Sequence, residues 1–190
     1  MSVTGGSELR ELREHPFDLL REMERRSRVA LTGTTGDDAS GEEWVGIGLR
    51  LGNERFVVPR EQVREVLMLP STLTRVPGAK PWIRGLANVR GHLLPIADLR
   101  AFLGAGATGA ERSARVVVLN SPDYPVGLVV DEVYGFRRFL QREHVSEFPQ
   151  PQLRCEQYLR GAFRRGLEIW PRFDLAALPD SREFQRAAED

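Results

Sequence analysis

The chain has 190 residues, of which 41% are hydrophobic and 28% are charged. This balance predicts one globular domain, with or without an appended segment, and argues against a largely disordered chain. The 27 basic and 27 acidic residues cancel to a formal net charge of zero, so the chain has no overall field to hold a polyanion such as a nucleic acid.

The cysteine count and the hydropathy of the chain indicate where in the cell the protein is expected. Cys155 is the only cysteine, which excludes an intramolecular disulfide and fits a reducing environment. No apolar run approaches the roughly 20 residues that cross a bilayer, and the N-terminus lacks the basic and then apolar regions of a signal peptide. We therefore expect a cytoplasmic protein.

The first part of the chain has the pattern of an amphipathic helix. Over residues 8–31, Phe17, Leu20 and Met23 recur at helical spacing, and this stripe is expected to pack either on the chain's own domain or on a partner. Residues 32–42 are rich in Gly, Thr and Asp and lack periodicity, which indicates a linker. We expect three parts: a helical extension and linker at 1–42, a globular domain at 43–179 and a polar, frayed tail at 180–190.

From Trp44 onward, apolar residues alternate with small or polar ones, which is the period of a half-buried strand. Turn residues divide this pattern into short segments. Strands are expected at 44–51, 55–59, 66–69, 86–99 (broken at Arg90-Gly91), 115–120, 126–133, 158–165 and 167–170, with short helical turns at 61–66, 99–103 and 173–178. Many short strands with little long helix predict small β-barrels or a sandwich.

Catalytic and cofactor motifs lack required parts. Residues 104–109 spell a three-glycine dinucleotide pattern, but a helix precedes them where that chemistry needs a strand, so a flexible surface loop is expected. The histidines are scattered, and Cys155 has no partner at metal-ligand spacing. Asp131 and Glu132 are neighbours on a strand and point to opposite faces, so they are expected to be a solvated pair and not paired catalytic carboxylates. The sequence thus predicts a protein without catalytic residues, cofactor or metal.

Local chemistry accounts for several residues in the centre of the chain. Gly91 permits a tight hairpin turn after Arg90. Pro95 cannot donate to a ladder, so its strand should be an edge or carry a bulge there. Asp98, directly before a short helix, has the position of an N-cap. Arg90 is a forked cation at a hairpin corner, placed either to brace its own domain or to anchor a partner, and both roles stay open.

These residues belong to an ordered set of motifs. They are I-R-G at 83–85, N-V-R-G at 88–91 and P-I-A-D-L at 95–99, preceded by F-V-V-P at 56–59 and V-R-E-V at 63–66, and followed by V-G-L-V-V-D-E-V at 126–133 and Y-L-R-G at 158–161. Each is weak alone, but in this order, over about residues 44–178, the set closely resembles CheW-like domains. The segments 44–48 and 81–85 are similar to the adaptors of the pilus (twitching motility) branch of that family.

The resemblance implies a mainly β fold of two small five-stranded, SH3-like β-barrels that share a core. It implies a non-catalytic adaptor that couples methyl-accepting chemoreceptors to a CheA-type histidine kinase in chemotaxis or type IV pilus signalling. Such an adaptor is cytoplasmic and recruited to membrane receptor arrays, with no nucleic acid partner and no membrane insertion. By resemblance, the receptor tip binds in a groove through Val63, Glu65, Asn88 and Arg90, and the kinase regulatory domain binds exposed loops and barrel ends.

Two other interpretations stay open. One is a detached regulatory domain of a histidine kinase, although the short segment before residue 43 is expected to hold no catalytic domain. The other is a small β-barrel that binds nucleic acid, because residues 136–139, F-R-R-F, interleave aromatic and basic side chains. A strand with one core face and one wet face explains that string better, given the zero net charge.

Overall fold

Strands account for most of the regular structure, as the period-two pattern predicts. The computed structural model describes residues 43–109 and 112–187, and the predicted N-terminal helix with Phe17, Leu20 and Met23 lies outside them. The strands are β1 (Glu43–Leu51), β2 (Glu54–Pro59), β3 (Val63–Met68), β4 (Ile83–Val89), β5 (His92–Asp98), β6 (Arg115–Leu119), β7 (Gly127–Val130), β8 (Glu132–Leu140), β9 (His144–Val145), β10 (Leu159–Arg165) and β11 (Glu168–Phe173). The short helices are α1 (Leu99–Phe102) and α2 (Arg182–Gln185). Within the described ranges, no helix is long and apolar enough to cross a membrane.

The strands form two sheets. One sheet has five strands in the order β3-β6-β7-β5-β4, and the other has six in the order β8-β1-β2-β11-β10-β9. The pairs β5–β7 and β2–β11 are parallel. The predicted mainly β, two-part architecture is confirmed. The six-stranded sheet exceeds the expected five because the two-residue β9 pairs with β10 at Ala162 and Phe163.

Each sheet curls around an apolar cluster of its own. In the five-stranded sheet, Leu67 on edge strand β3 and Val89 on edge strand β4 pack against the same buried cluster. In the six-stranded sheet, Phe139 of edge strand β8 stacks on Phe163 of β10, near the other edge, with ring centroids 4.6 Å apart. Because strands from opposite ends of a sheet fill one interior, both sheets have the curvature of small barrels.

A further cluster lies between the two sheets and belongs to both. Leu49 and Phe56 reach it from the six-stranded sheet, and Val117 and Leu128 reach it from the five-stranded sheet. Each of these side chains is at most 1% exposed. The shared core that the resemblance implies is therefore present.

Asp98 fixes the junction between β5 and α1. Its buried carboxylate accepts a hydrogen bond from the Ala101 N–H at 3.0 Å, which confirms the predicted N-cap. The same carboxylate accepts from the N–H of Thr108 at 2.8 Å and from its hydroxyl at 3.0 Å, and it pairs with Arg84 at 3.2 Å. The glycine-rich segment expected to be a flexible loop is thus tied at Thr108 to the end of β5.

Asp131 is buried, which corrects the expectation of a solvated pair beside a turn. It is 4% exposed, accepts from the Gly52 N–H at 2.7 Å and pairs with Arg100 at 2.9 Å. Its neighbour Glu132 is half-buried and pairs with Arg50 at 3.1 Å. The partners of Asp131 stand 79 and 31 positions away in the sequence, so local sequence alone did not indicate the burial.

Some element boundaries also differ from the expectations. The helical turn expected at 61–66 is a 3₁₀ turn at Arg60–Gln62, and β3 already begins at Val63. The single strand expected at 126–133 is two strands, since β7 ends at Val130 and β8 begins at Glu132 and continues to Leu140. Pro95 lies on an inner strand, but the pairing of β5 with β7 begins only at Ile96, so the prolyl nitrogen needs no partner on that side.

Ordered structure extends into the segment expected to fray. Phe184 of α2 stacks on Trp82 with ring centroids 5.1 Å apart, and it meets Phe102 edge-on at 5.2 Å. The N–H of Lys80 donates to the carbonyl of Ala187 at 2.8 Å. A single aromatic side chain therefore anchors a segment whose composition is otherwise polar.

Candidate partner-binding site

Arg90 stands at the corner of the β4–β5 hairpin in a backbone conformation that non-glycine residues rarely adopt. Its φ is 53°, and Gly91 follows with a φ of 86°. Two consecutive positive φ values are typical of a two-residue hairpin turn, whose twist matches that of the flanking strands. The side-chain oxygen of Asn88 accepts from the Gly91 N–H at 2.9 Å and closes the turn. An arginine in this conformation costs about 1 kcal/mol compared with glycine, so the turn itself does not favour arginine.

The Arg90 side chain forms an ion pair across the mouth of the five-stranded sheet. Its Nη2 lies 2.8 Å from Oε2 of Glu65 on β3. Arg90 is 76% exposed and Glu65 is 22% exposed, so water screens the pair, and such pairs contribute about 0–1 kcal/mol to stability. The pair therefore orients the guanidinium more than it stabilises the fold.

Val63 occupies the same strand as Glu65 but has different surroundings. Along β3 the less exposed positions are Val63, Glu65 and Leu67, and they alternate with exposed positions. Val63 packs against the core that the two sheets share. The structure thus brings Glu65, Asn88 and Arg90 together at one surface and places Val63 at the inner end of β3, against the core.

A groove of about 380 Å³ opens beside the ion pair. Glu65 and Arg90 line it together with residues that the sequence analysis did not select: Arg64, Val89, His92, Leu93, Leu94, Val118 and Pro125. Leu93 is 69% exposed although it is a large apolar residue. A signal for it was present in the sequence, because two successive leucines on a strand must point to opposite faces. The groove combines apolar surface with a charged rim, the composition of a protein-binding site.

The other residues that the sequence analysis considered, Cys155 and the F-R-R-F string, have structural roles. Burial, with smaller contributions from Glu54 and Glu156, raises the pKa of the Cys155 thiol to about 12, so this thiol stays protonated and is a poor nucleophile. Among the residues that the structure describes, no group of three His, Cys, Asp or Glu side chains is placed to hold a metal ion. In the F-R-R-F string, Phe139 is buried and Phe136 is 62% exposed, which confirms a strand with one core face and one wet face.

Comparison with known proteins agrees with this architecture. The family model described as CheW-like domain matches residues 46–183. PilI of Pseudomonas aeruginosa is 37% identical over 169 residues, which cover 89% of this chain and 94% of PilI. The chemotaxis protein CheW of Helicobacter pylori is 27% identical over 124 residues, which cover 65% of this chain and 74% of that protein.

A solved structure agrees as well. The crystal structure of the scaffolding protein TtCheW from Thermoanaerobacter tengcongensis superposes with a TM-score of 0.62 at 20% identity, over 74% of this chain and 94% of that one. At 20% identity, this similarity shows a shared fold. The family match covers well over half of the chain, and the chain therefore belongs to the CheW-like domain family.

Proposed function

We propose that this chain is a non-catalytic scaffold that couples methyl-accepting chemoreceptors to a CheA-type histidine kinase. Membership of the CheW-like domain family supports an adaptor of chemosensory signalling. The relative named PilI matches at higher identity and over more of the chain than the chemotaxis protein CheW of Helicobacter pylori. That difference supports the pilus (twitching motility) branch, with the adaptor in the cytoplasm and recruited to receptor arrays at the membrane.

The receptor tip binds at the groove beside the Arg90–Glu65 pair. The observation that carries this assignment is Arg90 itself, which adopts a φ of 53° and leaves its side chain 76% exposed. A residue that costs backbone energy and adds little stability is a candidate for a binding role. Asn88 holds the turn that displays Arg90, Leu93 offers apolar contact area, and Val63 positions β3 against the core.

Adaptor and kinase then join through exposed surfaces of the barrels, and the adaptor takes no part in the chemistry of phosphorylation. Its effect is to raise the fraction of kinase that is held beside a receptor. Mass action requires that this effect saturate and then reverse, because excess adaptor occupies receptors and kinases in separate pairs.

Reconstitution tests this proposal. Purified chain is titrated into a fixed mixture of a receptor cytoplasmic fragment and a CheA-type kinase of the pilus system, and phosphate transfer from ATP is followed. The expected dose response rises, passes through a maximum and falls. Phosphorylation that does not depend on the concentration of the chain, or that rises to a plateau without falling, contradicts a coupling role.

A further inference from the structure

The interior of the six-stranded sheet opens at one end into a mouth of about 520 Å³ lined by arginines and aromatic rings. We call it the arginine mouth and define it by Arg55, Arg137 and Arg165, which lie over Tyr134, Phe139 and Trp170. The receptor groove belongs to the five-stranded sheet, so the arginine mouth is a separate feature.

Two guanidinium groups share the same pair of rings. Arg137 lies 5.7 Å from the Tyr134 ring centroid and 5.5 Å from that of Trp170. Arg55 lies 5.9 Å from each of the same two centroids. Rings with an electron-rich face attract cations, but two like charges gathered at one place also repel each other, and an anion there relieves the repulsion.

The carboxylates at the mouth are fewer than the arginines. Arg55 pairs with Glu168 at 2.8 Å, and Arg165 pairs with Glu143 at 2.8 Å. Within residues 43–109 and 112–187, Arg137 forms no ion pair, and its hydrogen bonds are those of Nη1 to two carbonyls of its own strand. Toward the described residues, most of its fork is therefore free to receive a carboxylate.

The backbone beneath the arginine mouth is shaped to admit this arrangement. Gly48 of β1 lies under it, and a Cβ atom at that position would come within 3.1 Å of both the Arg137 side chain and the Trp170 ring. Such a distance is tighter than ordinary van der Waals contact. The missing side chain at Gly48 is what allows the stem of Arg137 and the indole to lie side by side.

We propose that the arginine mouth binds an acidic segment of a protein partner, with an aspartate or glutamate carboxylate held by Arg137. The Phe139 and Trp170 rings do not offer a stacking surface to nucleic-acid bases, because they are at most 5% exposed and guanidinium groups lie over them. Glu143 and Glu168 at the rim repel an extended run of phosphates. A short peptide with spaced carboxylates meets the arginines and avoids these two groups, and this contact is separate from the receptor groove.

Fluorescence anisotropy with the full chain tests the proposal, using a labelled Glu-rich peptide, the same peptide with Gln in place of Glu, and a labelled single-stranded oligonucleotide. The Glu-rich peptide is expected to bind, and more weakly as salt rises from about 50 mM to about 300 mM because screening shortens the reach of the charges. Arg137→Gln should weaken binding about tenfold, the cost of one charge-assisted contact. Arg75→Gln, an exposed arginine before β4 of the other sheet, is the matched control and should change binding less than about twofold.

A spectroscopic measurement locates the binding. The indole N–H of Trp170 donates to Glu168 at 3.4 Å, so its NMR signal should shift when the Glu-rich peptide binds, whereas that of Trp82 should not. If Arg137→Gln impairs folding, Arg137→Lys keeps the charge and the stem but loses the fork, and its binding should still fall several-fold. Equal binding of the Gln peptide, equal losses in Arg137→Gln and Arg75→Gln, an unmoved Trp170 signal or tighter binding of the oligonucleotide would each overturn the proposal.

Discussion

Glu65 stands on β3 at one edge of the five-stranded sheet and Arg90 in the turn that follows β4 at the other edge, yet their side chains meet at 2.8 Å. The contact is possible only because the sheet curls until β3 approaches the turn between β4 and β5. The pair therefore marks the line along which the barrel closes, and the groove beside it runs along that line. A partner that fills this groove contacts Glu65 from one edge of the sheet and Val89 and Arg90 from the other.

Two substitutions at Arg90 separate a binding role from a bracing role. We expect Arg90→Gly to be about 1 kcal/mol more stable than Arg90→Ala, because only glycine adopts a φ of 53° without cost. Both variants lose a charge-assisted contact, which should lower the affinity for a receptor cytoplasmic fragment by about tenfold to a hundredfold. Urea unfolding and calorimetric titration measure the two effects. Normal affinity per folded molecule in either variant would show that Arg90 is only a brace.

Gly85 permits the connection before β4 to lie against that strand. Its φ is 138°, and a Cβ atom there would meet the carbonyl oxygen of Thr74 at 2.4 Å. Thr74 exchanges two backbone hydrogen bonds with Leu86, at 2.9 Å and 2.8 Å, so the backbone cannot withdraw without breaking them. Gly85→Ala should lower the free energy of unfolding by about 2–5 kcal/mol, from strain and overpacking together. The control is Gly106→Ala, which also has a positive φ but open space around it, and thermal unfolding should show a loss of only about 1 kcal/mol.

Phe184 is expected to account for most of what the C-terminal segment contributes to the free energy of unfolding. It is half-buried against Trp82 and Phe102, so Phe184→Ala should destabilise the fold by about 1–3 kcal/mol, less than a fully buried phenylalanine. The nearby exposed Arg186 is the control, and Arg186→Ala should leave the unfolding midpoint within about 0.5 kcal/mol of wild type. Equal effects of the two variants in chemical unfolding would mean that α2 contributes nothing through its aromatic contact.

Glu143 should make the stability depend on acid pH. Hydrogen bonds from Arg165 and from the Leu140 N–H lower the pKa of its carboxyl group from 4.5 to about 2. A folded-state pKa below the unfolded value contributes stability above the unfolded pKa, and this contribution is lost as the pH falls through the folded pKa. We therefore expect wild type to exceed Glu143→Gln in stability at pH 6, and the difference to vanish between about pH 4.5 and about pH 2.

Urea unfolding at a series of pH values measures this dependence. Glu147→Gln removes an exposed carboxylate from the same region and serves as the control, with a smaller loss of stability than Glu143→Gln expected at pH 6. A difference between wild type and Glu143→Gln that stays constant down to pH 2 would contradict the role of the Arg165 contact.

The alternating pattern predicted most strands because burial on one face of a sheet imposes the period of two on the sequence. It did so for β1, where Ile47, Leu49 and Leu51 recur at this period and enter the core. β2 is buried on both faces, and the turn at Gly52-Asn53 indicated it instead. The N-cap at Asp98 was equally predictable, since a carboxylate directly before a helix can accept a hydrogen bond from an unpaired N–H of the first turn, here that of Ala101. The outer half of β8 gave a weaker pattern, because Phe136 points to solvent and Gly135, with a φ of 79°, marks an irregularity in the pairing with β1.

Contacts between distant segments could not be predicted. Asp131 is buried because Gly52 and Arg100 come to it from other elements, and nothing next to it in the sequence shows this. At the candidate site, the turn chemistry indicated Arg90, and the family resemblance added Val63, Glu65 and Asn88. The closure that brings Glu65 to Arg90, and leaves Val63 against the core, depends on the curvature of the whole sheet.

The core between the sheets has a mechanical consequence. Leu49 and Phe56 from one sheet interlock with Val117 and Leu128 from the other, so neither barrel can tilt without opening a void in a close-packed interior. Within residues 43–109 and 112–187 the shared core leaves no hinge between the barrels, so partners bound to both barrels would be held at a fixed distance and angle. A signal that passes through these barrels would be carried by displacement of the whole domain. In amide hydrogen exchange, the core strands of both barrels should then show the same opening free energy, equal to that of global unfolding.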